Sequence, residues 1–127
     1  MIADVANPRH EALVEDPREM RMGSPQYGRL ILDGEEFVTN QPQGIESESL
    51  VWSDDGRLLA AQELDLSISY PGTRVVVIDA DSRVQIGASR ARKGLSNPIR
   101  FEGETLVYRH WEYGSGEQEL RLELGAS

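Results

Sequence analysis

The chain is expected to fold as an all-β domain, an antiparallel meander or small sandwich of about nine short strands. Three observations carry this. Apolar residues alternate with period two in most segments after Tyr27, as in Leu120, Leu122 and Leu124 against Glu119, Arg121 and Glu123. An α-helix would scatter those leucines around its circumference. Turn signals rich in Gly, Asp, Asn and Pro recur every 8–12 residues or so, the spacing of antiparallel all-β folds. Finally, Val75-Val76-Val77-Ile78 is apolar on both faces and requires a strand covered above and below.

In chain order, residues 1–26 carry little pattern and are broken by Pro8, Pro17 and Pro25. They read as a loosely ordered arm or a strand-edge cover, with one or two helical turns conceivable over Arg9–Glu15. Residues 27–127 read as a single β domain. Gly28–Leu32 is a strand, and Asp33-Gly34 is the strongest short hairpin signal, returning through Glu36–Thr39. A polar loop over Asn40–Glu48 holds Pro42 and Gly44. Leu50-Val51-Trp52 and Arg57–Leu64 flank Ser53-Asp54-Asp55-Gly56 as a hairpin. A further loop ends at Pro71-Gly72.

Past Ile78 and the turn Asp79–Ser82, Val84, Ile86 and Ala88 alternate with Arg83, Gln85 and Gly87, marking a half-exposed strand. Ser89–Asn97 reads as a basic loop with Arg90, Arg92 and Lys93. Pro98 is confined to an edge strand or to the start of one. Ile99–Phe101, Thr105–Tyr113 and Glu117–Leu124 complete the set, joined by turns at Glu102-Gly103 and Gly114-Ser115-Gly116.

Composition excludes several classes. In 127 residues, 39% are hydrophobic and 28% charged, too apolar for a disordered chain. No apolar run approaches the roughly 18 residues of a membrane-spanning helix. The first residues lack the basic and apolar regions of a secretory signal. There is no cysteine, hence no disulfide or thiolate chemistry. A cytoplasmic address is the expectation. Net charge is −9, with 14 acidic and 5 basic residues over 1–66 and eight of each over 67–127. Such a field repels nucleic-acid phosphates and anionic lipid headgroups and attracts a basic protein surface.

The stretch Leu50-Val51-Trp52-Ser53-Asp54-Asp55-Gly56-Arg57-Leu58-Leu59-Ala60-Ala61 resembles the first hairpin of a β-propeller blade. On that resemblance Thr73–Asp79 and Arg83–Ala88 would be the third and fourth strands, and Ile99–Leu124 a partial second unit. A closed propeller takes about four or more blades, and the chain holds two at most, so blade-like units in an open arrangement are expected. In size, acidity and β content the chain is also similar to small immunity proteins of bacterial toxin systems.

Chemistry-bearing motifs are few. His110 lies in an aromatic strand and His10 in the proline-broken arm, so both read more simply as structural or surface groups than as bases. No glycine-flanked serine elbow and no phosphate-binding glycine loop is present. Asp54-Asp55 and Asp79-x-Asp81 could offer oxygens to a cation but sit where turns use Asp for backbone bonding. Glu102 and Glu104 flank a turn glycine and should face water. No catalytic residue, metal site or cofactor is therefore assigned.

The expected function is a non-catalytic binding module, an immunity or inhibitor protein that occludes a basic toxin or effector. Glu35, Glu36, Glu46 and Glu48 would steer and pair with the partner, and Trp111 and Tyr113 would anchor it. Two alternatives stand beside it: an accessory subunit docking through a sheet edge, and a small enzyme using His110.

Overall fold

The computed structural model describes residues 4–7, 9–19, 22–39, 44–66 and 72–124. Pro8, Pro42 and Pro71, expected in breaks and loops, lie outside them. The described residues form an all-β, antiparallel fold. Its strands are β1 (Asp4–Ala6), β2 (Glu11–Glu19), β3 (Gln26–Leu32), β4 (Glu35–Glu36), β5 (Ile45–Glu46), β6 (Val51–Trp52), β7 (Leu58–Leu64), β8 (Gly72–Asp79), β9 (Val84–Ala88), β10 (Arg92–Lys93), β11 (Leu95–Glu102), β12 (Thr105–Glu112) and β13 (Gly116–Glu123). No described helix is long and apolar enough to cross a membrane. The larger strand number comes from β1 and β2, in the segment read as an arm, and from the two-residue pieces β5 and β10, inside segments read as loops.

Ten strands form one sheet with the path β1-β2-β3-β5-β7-β8-β10, on which β4 pairs β3, β6 pairs β7 and β9 pairs β8. β11, β12 and β13 form a second, three-stranded sheet. Strands β6 to β9 make a continuous antiparallel meander. Neither sheet closes into a barrel or propeller.

Every residue of β7 is buried, as are all but the last of β8, because this pair is covered on both faces. On one face Leu59, Ala61, Val76 and Ile78 pack with Ala12 and Val14 of β2 and Leu30 and Leu32 of β3. Since β2 and β3 belong to the same sheet, that sheet curls back over its own centre. On the other face Leu58, Ala60, Val75 and Val77 pack with Leu106 and Tyr108 of β12, flanked by Phe101, Leu120, Leu122 and Leu124. The result is three layers, with the doubly apolar segment Val75–Ile78 in the middle one.

Local chemistry places the turns. Asp33 and Gly34 take φ of 52° and 84°, the left-handed pair of a two-residue hairpin, and Leu32 and Glu35 face each other across it. Asp55 accepts hydrogen bonds from the Ser53 hydroxyl and the Arg57 amide, and Asp79 accepts from the amides of Asp81 and Ser82. The acidic pairs thus serve their turns. Glu102 bonds to Arg100 and Arg121, which hold its carboxyl below the usual range, Arg121 first.

Three expectations are corrected. The segment read as a loose arm supplies β1 and β2, and Ala12 and Val14 are fully buried. Glu11–Glu19 is extended rather than helical because its two buried apolar residues, Ala12 and Val14, pair with Leu32 and Leu30 of β3. Pro17 is absorbed where the β2–β3 register shifts between Glu15 and Arg18. On β9 it is the apolar set that faces outward: Val84 is 51% and Ile86 40% exposed, while Gly87 lies against Leu124. The basic loop is shorter than expected, since Arg92-Lys93 pairs with β8 and β11 begins at Leu95.

Candidate functional site

Of the six expected contact residues, Glu46 and Glu48 share one feature, an open groove of about 540 Å³. β5 sets Glu46 opposite Tyr27, and the turn over 46–49 is closed by the Ser47 amide on Gln26 and the Ser49 amide on Glu46. Glu48 is thereby folded back so that its amide donates to Glu46 Oε2 at 2.9 Å. The groove's other lining includes Gln26, Gln62, Leu95 and Asn97. Gln62 accepts from the Tyr27 hydroxyl and donates to Asn97 Oδ1 at 2.7 Å, so β3, β7 and β11 are tied together at its floor.

The Glu46 carboxyl is raised above its ordinary value of 4.5, first by burial; the Glu48 charge adds, and hydrogen bonds from the Glu48 amide and from Ser47 oppose. Neither Glu46 nor Glu48 forms an ion pair among the described residues. The groove is therefore a concave acidic surface whose charge is not balanced by an ion pair among the described residues.

One of the two aromatic residues is linked to it through the ladder. Leu95, on the groove wall, stands directly across the ladder from Trp111. Trp111 is 41% exposed and Tyr113, in the β12–β13 turn, 88%. By contrast Glu35 and Glu36 pair with Leu32 and Ile31 at the far end of β3, whereas Glu46 pairs with Tyr27. At roughly 3.3 Å per residue that separates the two acidic pairs by about 13 Å or more. Glu36 also lies 3.9 Å from Arg29. Glu46 and Glu48 thus share a groove whose wall residue Leu95 pairs with Trp111, while Glu35 and Glu36 lie outside it and Tyr113 sits in the turn beyond Trp111.

His110 is buried. Its Nε2 donates to the Lys93 carbonyl at 2.6 Å, and its Nδ1 lies 2.7 Å from Ser96 Oγ. Both ring nitrogens are engaged, and the ring fastens the Lys93-Gly94 backbone to β12. Arg90, Arg92 and Lys93 sit beside this anchor without an ion pair among the described residues.

A second cluster has no signal in the sequence. His10 Nδ1 lies 2.7 Å from Asp33 Oδ2 and its Nε2 2.7 Å from Asp81 Oδ1, while the ring stacks on Trp52 at 5.9 Å between centroids. The three residues come from three separate turns, so no motif spacing links them; Asp33-Gly34 and Asp79-x-Asp81 read only as turns. The carboxylates sit on opposite edges of the ring, an arrangement unsuited to a shared metal ion. No group of His, Asp and Glu suited to a metal occurs among the described residues.

Comparison of the chain with protein-family models, with curated proteins and with solved structures returns no match.

Proposed function

We propose that this chain is a non-catalytic protein-binding module acting in the cytoplasm, an inhibitor of the immunity type that covers a basic surface on a toxin or effector. The observation that carries this is the groove of Glu46 and Glu48. A half-buried carboxyl beside a second carboxylate, with no cation paired to it among the described residues, is an electrostatic strain that an incoming Lys or Arg would relieve. Trp111, across the ladder from Leu95 of that groove, and the exposed Tyr113 beyond it supply the apolar anchors that dominate many interfaces. Glu35 and Glu36 add to the long-range field and to encounter, not to the contact itself.

Affinity capture from the source cell, with mass spectrometry, is the first test. One stoichiometric basic protein supports this reading. Surface plasmon resonance then separates its two parts. Raising salt from 0.01 to 0.1 M shortens the Debye length from about 30 to 10 Å and should slow association. Reversing Glu46 and Glu48 to Lys should lower the on-rate about tenfold. Trp111→Ala or Tyr113→Ala should raise the off-rate instead, about thirtyfold for a loss of about 2 kcal/mol. An on-rate indifferent to salt and to charge reversal defeats the proposal.

A second reading, an accessory subunit, rests on β13. Its eight residues pair only with β12, which leaves one ladder edge open among the described strands. Capture of a larger housekeeping assembly, abolished by a proline in β13, would favour it.

A further inference from the structure

The cluster around His10 points to a property independent of the binding surface. Asn7 Oδ1 accepts from the amides of Arg9 and His10 at 2.7 and 2.8 Å, so the β1–β2 connection holds the imidazole in one direction. The ring then meets a carboxylate on each side and Trp52 on its face. A neutral imidazole carries one N–H. It could donate to Asp33 or to Asp81, and would turn a bare lone pair on the other. Two carboxylate oxygens, each 2.7 Å from a different ring nitrogen, fit only the doubly protonated ring.

We infer that His10 is a pH-operated fastener, its imidazolium clamping the β1–β2 connection to the β3–β4 turn through Asp33 and to the β8–β9 turn through Asp81, and giving up one of the two when it loses its proton.

The surrounding charges fit this role. From its own segment come Arg9, bonded to Asp81, and Glu11, whose amide donates to Asp33 Oδ1 at 2.9 Å. From the β8–β9 turn come Asp81 and Arg83, and Arg83 reaches the Leu32 carbonyl; against burial, the Asp33 carboxyl is lowered first by the Glu11 amide, then by His10, with the Arg83 charge adding. Asp79 is held by Arg57, and Asp55, in the β6–β7 turn, is lowered first by the Ser53 hydroxyl. The hydrogen bonds to Asp81 and Asp33, in that order, raise the His10 pKa above the ordinary 6.5, and burial opposes. Because the folded value is the raised one, the clamp's stabilisation is complete below pH 6.5 and is lost as pH rises through the folded value.

Release would be local. β2 stays anchored by Ala12 and Val14, whereas β1 is an edge strand held by three ladder positions, Asp4 to Leu13, Val5 to Ala12 and Ala6 to Glu11. Loosening the clamp therefore weakens the restraint on β1, the edge strand that covers β2.

The test is an NMR titration of the intact chain, with the His10 ring assigned through its contacts with Trp52, combined with amide hydrogen exchange. The expected result is a His10 pKa above 6.5, lowered by Asp81→Asn or Asp33→Asn. The protection factor of the Asn7 amide, which donates to the His10 carbonyl, should fall several-fold through the same midpoint, and this step should vanish in His10→Gln. A His10 pKa at or below 6.5, or protection unchanged through its titration, would overturn the inference; both readouts come from the native chain and do not depend on a variant folding.

Discussion

Glu63 of β7 and Arg74 of β8 stand directly opposite each other in the ladder, and their side chains meet at 2.9 Å in the interior. Arg74 reaches on to Asp65 at 3.0 Å, and the Thr39 hydroxyl donates to the other oxygen of Glu63. One cation and two carboxylates thus share a site almost closed to water, with Glu63 at 0%, Asp65 at 3% and Arg74 at 7% exposure. Burial raises the Glu63 carboxyl above its ordinary value, the Asp65 charge adds to this, and the bonds from Thr39 and Arg74 oppose.

Arg74→Met should therefore be among the most damaging single changes, because it removes the cation that two buried carboxylates share. Removing one partner of a buried pair costs about 3–5 kcal/mol. Glu63→Gln keeps shape and an acceptor for Thr39 and should cost less. It should also change the pH dependence. With its folded pKa raised, Glu63 contributes stability below about pH 4.5 that declines as pH rises through the folded value. Denaturant unfolding at stepped pH should show this decline in the native chain and not in Glu63→Gln. An Arg74→Met protein within about 1 kcal/mol of native would contradict a buried ion network.

Val77→Asp should leave the chain unfolded at 25 °C. Val77 is fully buried between the layers, and an unpaired charge there costs several kcal/mol against a total stability of about 5–15 kcal/mol. Val84→Asp, on the outward face of β9, should stay within about 0.5 kcal/mol. Far-UV circular dichroism and thermal melts compare the two. Equal effects would place Val77 outside the central layer.

Gly94 and Gly103 both have positive φ, at 113° and 60°, yet should respond differently to alanine. A Cβ on Gly103 meets nothing within 4 Å, so Gly103→Ala carries only the left-handed backbone cost of about 1–2 kcal/mol. A Cβ on Gly94 would lie 2.2 Å from the Trp111 carbonyl oxygen and 2.8 Å from His110 Nε2. Gly94→Ala must displace the His110 anchor as well and should cost at least twice as much in denaturant unfolding. Similar values at the two sites would mean that β10 yields freely.

Much of the fold is legible in short stretches. The doubly covered strand at Val75–Ile78, the Asp33-Gly34 hairpin, the inward leucines of β13 and the Asp-capped turns each follow from side-chain period or turn chemistry within a few residues. Of the site, residue type selects Glu46, Glu48, Trp111 and Tyr113, but nothing in their spacing distinguishes Glu46 from Glu35.

The sequence alone determines the all-β class, most turns and the acidic, cysteine-free character of the chain. Only the tertiary structure decides which faces meet. Residues 11–19 lack a convincing pattern, yet β3 offers Leu30 and Leu32 to Val14 and Ala12. β9 turns Val84 and Ile86 outward because Leu122 and Leu124 pack into the interior beside its Gly87 side. His10 meets Asp33 and Asp81 only because three hairpin turns converge at one end of a curled sheet. Period and turn chemistry act over a few residues, whereas these contacts join residues up to 71 positions apart. Their partners are chosen by how the layers bury their apolar area together, which no local window contains.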